Sequence, residues 1–177
     1  NGLWFNIFGG YRISKDELFC NLVDADGYYF THFLQDKAKT AYGGAELKYG
    51  YKDWFDASLK GTFYSWKTDN ENEELYLMTK PKFELNFYAE AKVFEGLKVY
   101  LGYEYVQRKE YVIEEGNSSR DFGLGNISNL SVGASYTFLK DLSVFGRVNN
   151  LLNKQYYYEY GYPAEKLNVL AGLSLVF

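Results

Sequence analysis

Five tyrosines fall within seven consecutive positions near the end of the chain, in the stretch "NKQYYYEYGYP". They are Tyr156, Tyr157, Tyr158, Tyr160 and Tyr162. Tyrosine offers rigid contact area with a polar tip, so this cluster could be a platform that contacts a ligand. Tyrosines also gather at membrane interfaces and at the rims of barrels. We favour the interface interpretation and keep ligand contact as the alternative.

Residue types that could support catalysis or metal binding are sparse. His32 and Cys20 are the single histidine and the single cysteine, so any catalytic triad would have to use His32. A nucleophile also needs a base and an orienting group, and no serine or cysteine context here indicates one. The acidic run "DNENEE" at 69–74 lacks the glycine and the ligand spacing of a calcium loop. The sequence therefore predicts no enzyme, no metal site and no cofactor.

The elements that must position these residues show a period of two. In "KFELNFYAEAKV", one face carries Phe83, Leu85, Phe87, Ala89, Ala91 and Val93. The alternate face carries Lys82, Glu84, Asn86, Tyr88, Glu90 and Lys92. A helix would scatter these charges around its circumference, whereas a strand sorts them onto one side. The same sorting recurs along the chain, which predicts an all-β, antiparallel protein.

Composition is consistent with long strands in a membrane. The chain has 177 residues, enough for one domain, and aromatic residues make up 20% of it with only 2 prolines. Its mean hydropathy is −0.36, and it contains no run of about 18 apolar residues that could form a transmembrane helix. A closed barrel needs apolar residues only at alternate positions. A net charge of −4 argues against nucleic acid as a partner.

The alternation predicts eight strands, at 2–22, 28–51, 54–67, 82–94, 97–112, 126–138, 142–152 and 166–177. We expect the first two to be bent or bulged, near 15–17 and 36–40. Very short turns alternate with longer polar connections, which is typical of an outer-membrane barrel. Aromatic residues also cluster at strand ends, as girdle residues do. Alternation does not tell inside from outside, so a soluble ligand-binding barrel with its apolar face inward remains an alternative.

Three segments resemble the C-terminal barrel portion of TonB-dependent outer-membrane receptors. They are "NNLLNKQYYYEYGYPAEKLNVLAGLSLVF", "KTAYGGAELKYGYKDWFDASLKGTFYSW" and "GGYRISKDELFCNLVDADGYYFTHF". The resemblance implies that residues 1–177 are an outer-membrane β-barrel domain without a plug domain, located in the bacterial outer membrane and in contact with its lipid. It implies that Leu173, Leu175 and Phe177 form a signal for the barrel assembly machinery. The chain departs from the family where Glu165-Lys166 replaces the usual Gly-Arg.

The length of the chain leaves two arrangements open. A 22-stranded receptor barrel needs about 220 residues in its strands alone, more than the 177 residues of this chain. In the first arrangement the chain is therefore part of a larger receptor. That receptor would take up a ligand with the help of an energy-coupling protein. The second is a stand-alone transmembrane barrel of eight strands, acting as an anchor or a scaffold for loops. In both, the interior would hold Glu46, Lys48, Asp56, Lys60, Glu84, Glu90, Lys92, Lys98, Glu104, Arg108 and Arg147.

Overall fold

The computed structural model describes residues 2–25, 28–69, 77–109, 111–115, 118–122, 124–159 and 162–176. For residues 18–25, 28–36, 111–115, 118–122 and 159 it describes the backbone alone.

Eight strands form one antiparallel sheet in which neighbours along the chain are neighbours in space, apart from two inserted hairpins. In sheet order they are β1 (Gly2–Ala25), β2 (Tyr28–Tyr51), β3 (Phe55–Thr68), β4 (Pro81–Phe94), β5 (Leu97–Arg108), β8 (Ile127–Leu139), β9 (Leu142–Asn149) and β12 (Asn168–Leu175). The prediction of an all-β, antiparallel fold is confirmed.

Two small hairpins lie inside connections that we predicted as loops. They are β6 (Tyr111–Glu115) with β7 (Ser118–Phe122), and β10 (Tyr157–Glu159) with β11 (Tyr162–Pro163). A single helical turn at 77–79 ends the β3–β4 connection. Nowhere in the described ranges does a helix reach the length and apolar character required to cross a bilayer.

Some predicted strand ends were wrong. The strand predicted at 97–112 stops at Arg108, and the one predicted at 142–152 stops at Asn149. Asn150 has a φ of 49°, a left-handed conformation that cannot continue a strand. The irregularity expected near 15–17 is present as a bulge, because the β1–β2 register shifts between Ser14 and Glu17. This bulge places Glu17 opposite Asp36, and hence on the same face as Ser14.

The ladder sorts the side chains as the alternation predicted. On one face Leu59 lies opposite Phe87, and on the other Lys60 lies opposite Asn86. We call these the apolar face and the polar face. The charged residues predicted to share an interior all occupy the polar face by register. The apolar face is solvent-exposed, with Leu3 70% and Ile7 72% exposed, so this sheet alone has no second layer covering it.

The sheet is open. Within the described strands, β1 pairs only with β2 and β12 pairs only with β9, and no ladder joins the two edges. Of the two arrangements that the sequence left open, closure with eight strands is therefore not what the structure shows. The edges also differ in length, since β1 has 24 residues and β12 has 8.

Aromatic rings on the polar face lie across glycines of the neighbouring strand. The ring of Phe8 lies over Gly44, and the ring of Tyr100 lies over Gly133. A Cβ on Gly44 would collide with the backbone oxygen of Gly61 as well as with the Phe8 ring. Gly44 is therefore a position where the strand needs the absence of a side chain.

Gly44→Ala is expected to lower the free energy of unfolding by about 1–3 kcal/mol, because overpacking forces the backbone or the Phe8 ring to move. Gly43→Ala is the matched control, since the nearest atom to its new Cβ is the Phe8 oxygen at 3.9 Å. Urea unfolding of the detergent-solubilised protein, followed by tryptophan fluorescence, measures both. Equal losses in the two variants would contradict the close packing at Gly44.

Candidate functional site at the long-loop rim

The long connections all emerge at one end of the sheet. The turns after β2, β4 and β8 are short, and the connections after β3, β5 and β9 carry the long hairpins and loops, whereas β1 and β2 are themselves one long hairpin joined by residues 26–27 at the same end. In an antiparallel meander alternate connections lie at the same end. The polar segments predicted from the sequence therefore meet at one rim.

Three of these connections share an apolar core on the polar side of the sheet. Met78 and Leu124 are buried, with Leu77 and Tyr157 packed against them. Beside this pair Val106, Ile127 and Tyr156 form a second buried cluster, to which Ala164 adds. A third contact joins Ala38 of β2 to Trp66 and Leu77. The connections after β3, β5 and β9 thus pack on each other as one cap, the rim core.

Asn150 organises the last of these connections and is 1% exposed. Its side-chain amide donates to the backbone oxygens of Lys154 at 2.8 Å and Glu165 at 3.1 Å. Its side-chain oxygen accepts from the Lys154 N–H at 3.1 Å. One buried side chain therefore fixes both ends of the tyrosine-rich hairpin.

Arg108 attaches the hairpin to the end of β5. Its guanidinium donates to the backbone oxygen of Tyr157, and its backbone N–H donates to Asn126 Oδ1 at 2.9 Å. Only 8% of Arg108 is exposed, so the charge is held at the base of the loop. The hairpin is therefore fixed by polar contacts as well as by the rim core.

The structure separates the predicted tyrosines. Tyr156 is 4% exposed and packs in the rim core, whereas Tyr158 is 53% and Tyr162 is 74% exposed. The rings of Tyr156 and Tyr158 meet edge to face at 5.5 Å. Burial and a hydrogen bond with Tyr158 raise the pKa of the Tyr156 phenol above its usual range. Tyr157 is partly buried, and Tyr160 lies outside the described residues.

The polar face below the rim contains paired charges and lysines that contact aromatic rings. Lys98 Nζ lies 3.0 Å from Glu90 Oε1, and Lys48 Nζ lies 3.0 Å from Glu46 Oε1. Trp4 and Phe8 break the alternation of β1 because they lie on this face. Lys48 is 4.9 Å from the Trp4 ring centroid, and Lys60 is 5.1 Å from that of Phe8. Cation–π contacts with these lysines explain why two aromatic residues lie on the polar face, which the sequence pattern did not explain.

Other candidates from the sequence are not brought into a site. Cys20 and His32 lie in β1 and β2, opposite Phe33 and Asn21 respectively, and only their backbones are described. Among the described side chains, no three His, Cys, Asp or Glu residues could hold a metal ion together. Of the acidic run, Asp69 is described and contacts Lys39 at 3.4 Å.

The apolar face carries two aromatic rows. Towards the long-loop end, the ring of Phe83 is 4.5 Å from that of Phe63 and 6.4 Å from that of Tyr105. Towards the short-turn end lie Tyr49, Tyr51, Trp54, Phe55, Phe94, Tyr136 and Phe138, joined by ring contacts of 5.5–6.4 Å. Between the rows, the described positions of this face hold only aliphatic, aromatic, glycine and uncharged polar residues. Aromatic residues therefore lie near both ends of the strands on this face, as expected of girdles.

Comparison with known proteins finds likeness in structure only. No family model and no curated protein sequence matches the chain. FpvA of Pseudomonas aeruginosa, bound to a heterologous pyoverdine, superposes with a TM-score of 0.70 at 16% identity, over 98% of this chain and 24% of its own. The Escherichia coli K12 ferric-catecholate import receptor Fiu gives a TM-score of 0.62 at 15% identity, over 99% and 25%. The chain has the fold of a barrel portion of a TonB-dependent receptor.

The resemblance noted in the sequence is thus confirmed at the level of the fold. The ferripyoverdine receptor of the P. aeruginosa outer membrane, bound to ferripyoverdine, superposes with a TM-score of 0.68 at 15% identity, over 98% of this chain and 25% of its own. This chain spans about a quarter of the length of the TonB-dependent receptors that it matches. These neighbours are receptors rather than enzymes.

Proposed function

We propose that residues 1–177 form one barrel domain in the bacterial outer membrane, as part of the wall of an uptake receptor. The apolar face contacts acyl chains, the polar face lines the interior, and the long connections lie outside the cell. The observation that supports this most is the uncharged band between the two aromatic rows. It distinguishes the proposal from the soluble barrel, whose apolar face would be buried.

The height of the band fits a bilayer. On β2 it extends from Ala41 to Tyr51, and on β3 from Phe55 to Ser65. At about 3.3 Å per residue each stretch is ~33 Å long. A strand tilt of about 40° reduces this to ~25 Å along the membrane normal, the height of the apolar band of outer-membrane barrels.

The open edges favour a larger wall over a stand-alone barrel. An unpaired strand edge exposes backbone N–H and C=O groups, which hydrocarbon does not tolerate. Closure with eight strands would pair the 24 residues of β1 with the 8 of β12 and leave much of β1 unmatched. Closure through further strands avoids this mismatch, and it agrees with the quarter of each receptor that the chain matches.

Within a full receptor, the function we propose is ligand uptake across the outer membrane, driven through an energy-coupling protein. The fold likeness to a ferripyoverdine receptor and a ferric-catecholate import receptor supports a ferric chelate as the class of ligand. Tyr158 and Tyr162 would present their phenols to it from the rim. Leu173 and Leu175, both exposed on the apolar face, would present the assembly signal together with Phe177.

Tyr158→Ala and Tyr162→Ala are expected to raise the ligand concentration for half-maximal uptake about fivefold or more each, since truncating a contacting aromatic side chain commonly costs over ~1 kcal/mol. Radioactive-iron uptake by cells supplied with a panel of ferric siderophores measures this. Tyr11→Ala is the matched control, because Tyr11 is 63% exposed but lies on the apolar face. Unchanged uptake in both rim variants would remove the tyrosines from the ligand site.

A gel run before and after boiling tests the larger wall directly. The chain of residues 1–177, folded in detergent with its strand content verified by circular dichroism, is expected to migrate without the shift of a closed barrel. A heat-dependent shift would favour the stand-alone barrel, the alternative without transport. Planar-bilayer conductance of that species would then show whether it is sealed.

A further inference from the structure

One arginine stands alone in the part of the sheet that leads to the tyrosine-rich hairpin. Arg147 is the single charged residue in β8, β9 and β12, three strands that the structure describes in full. Its neighbour Val148 pairs with Val132 on the apolar face, so Arg147 lies on the polar face, where it is exposed. The other charged residues assigned to the interior all lie in β2 to β5.

Arg147 also differs from the other interior cations in having no partner. Each of the lysines assigned to the interior contacts a carboxylate or an aromatic ring, and Arg108 donates to a backbone oxygen. Arg147 makes no such contact with any residue that the structure describes. Along its row across the sheet the first carboxylate is Glu90, three strands or ~14 Å away. Glu90 is already held by Lys98, at 3.0 Å.

The position of Arg147 is directly below the tyrosine-rich hairpin. β9 leads from the short turn after β8 into that hairpin, whose two ends are fixed by Asn150. Three residues separate Arg147 from Asn150, which is about 10 Å along the strand. The exposed rings of Tyr158 and Tyr162 belong to the hairpin above. Arg147 is therefore the first charged side chain below Asn150 on this strand.

The chemistry of a guanidinium group indicates what would bind here. It is planar and permanently charged, and its fork of N–H donors matches paired, negatively charged oxygens. Ferric chelates differ in this respect. Three doubly ionised catecholates around ferric iron leave a triply negative complex, whereas three singly ionised hydroxamates leave a neutral one. An unneutralised arginine on the interior wall therefore distinguishes between the two classes of chelate.

We propose that Arg147 binds a negatively charged oxygen of the ferric chelate below the tyrosine-rich hairpin, and that the receptor selects anionic chelates over neutral ones. This inference rests on the proposed function, because the polar face must line the interior of an uptake receptor. The side chains that flank Arg147 on β8 and β12 are uncharged, so they do not compete for the guanidinium. The positive charge is thus available to the ligand.

Equilibrium binding of two chelates to the full, detergent-purified receptor tests the proposal. Radioactive iron is supplied as a ferric tricatecholate or as a neutral ferric trihydroxamate, and the dissociation constant is measured for each. Loss of a hydrogen bond to a charged group commonly weakens binding by about tenfold to a hundredfold. Arg147→Gln is expected to weaken tricatecholate binding about tenfold or more and trihydroxamate binding less than about twofold. Arg147→Lys, which keeps the charge without the fork, is expected to give an intermediate loss.

Lys98→Gln is the matched control, because it removes the same charge from the same face at a residue that pairs with Glu90. It is expected to change the binding of either chelate less than about twofold. The melting temperature of the Arg147→Gln receptor is expected to stay unchanged. Equal weakening of both chelates by Arg147→Gln, or an equal loss from Lys98→Gln, would overturn the proposal. A lowered melting temperature with unchanged tricatecholate binding would also overturn it, by showing that Arg147 pairs with a carboxylate elsewhere in the receptor.

Failure of the inference can be distinguished from failure of the proposed function. Uptake of radioactive iron by cells that carry the original receptor reports transport independently of Arg147. Uptake from any chelate, with tricatecholate binding unchanged in Arg147→Gln, overturns the role of Arg147 alone. Uptake from the trihydroxamate but not from the tricatecholate overturns the proposed selectivity and leaves transport standing. Absence of uptake from every chelate supplied overturns the proposed function and the role of Arg147 with it.

Discussion

Leu59→Arg is expected to destabilise the membrane-embedded protein by about 2–4 kcal/mol, the cost of arginine on the lipid face near the bilayer midplane. Leu59 lies on the apolar face, midway along β3 between the aromatic rows that contain Phe55 and Phe63. It is 40% exposed, so the substitution leaves no internal cavity. Reversible unfolding in lipid vesicles, by urea or guanidinium titration, measures the difference.

Two controls isolate the effect of lipid. Lys60→Leu changes the next residue in the opposite chemical sense on the polar face, so it is expected to lack the penalty of a charge in hydrocarbon. Leu59→Gln replaces the arginine with an uncharged polar residue and should cost less. A Leu59→Arg protein as stable as the original in vesicles would mean that this face contacts water or protein.

Asn150→Ala is expected to lower the stability of the rim by about 2–4 kcal/mol. The variant leaves the backbone oxygens of Lys154 and Glu165 and the N–H of Lys154 without their buried partner. Each unsatisfied buried group costs about 1–3 kcal/mol. Hydrogen exchange over residues 150–167, together with the rate of protease cleavage there, gives the free energy of local opening.

Asn153→Ala is the matched control for Asn150→Ala. Both asparagines have a left-handed φ, 51° for Asn153 and 49° for Asn150, so alanine carries the same backbone cost at each. Asn153 is exposed, and its side chain makes one long contact, accepting from the Leu167 N–H at 3.3 Å. If the two variants open the hairpin equally, backbone conformation rather than the buried amide holds the rim.

The sorting of the sheet could be predicted from the sequence because a period of two survives wherever the strand is regular. Every charged residue assigned to one side, from Glu46 to Arg147, occupies the polar face. Trp4 and Phe8 broke the pattern and could not be explained in this way, because they contact lysines on other strands. Trp4 contacts Lys48 on β2, and Phe8 contacts Lys60 on β3, two strands away. Such contacts depend on register, which alternation alone does not give.

The rim was harder to predict because its residues are placed by packing between distant segments. Two tyrosines only two residues apart differ greatly in burial, with Tyr156 4% and Tyr158 53% exposed. Burial of Tyr156 depends on Val106 and Ile127 from two other strands. β9 ends where Asn150 adopts its left-handed φ. Asparagine tolerates this conformation, so the asparagine-rich stretch was the signal that could have indicated the end of the strand.

Closure could not be predicted either, since alternation is the same in a closed barrel and in one sector of a wider wall. The lengths of the two edge strands distinguish these arrangements, and they are known only from the strand pairing in the structure. The 8 residues of β12 lie beside a hairpin whose ends Asn150 fixes, whereas β1 continues for 24 residues through a bulge at Ser14–Glu17.

The most direct test asks which face meets lipid. In a Cys20→Ser background, single cysteines at positions 59 and 60 are labelled with a polarity-sensitive fluorophore, and the protein is reconstituted in vesicles with lipids brominated near the bilayer centre. We predict a blue-shifted, strongly quenched probe at position 59 and an unquenched, more polar one at position 60. Equal quenching at both positions, or stronger quenching at position 60, would contradict the account.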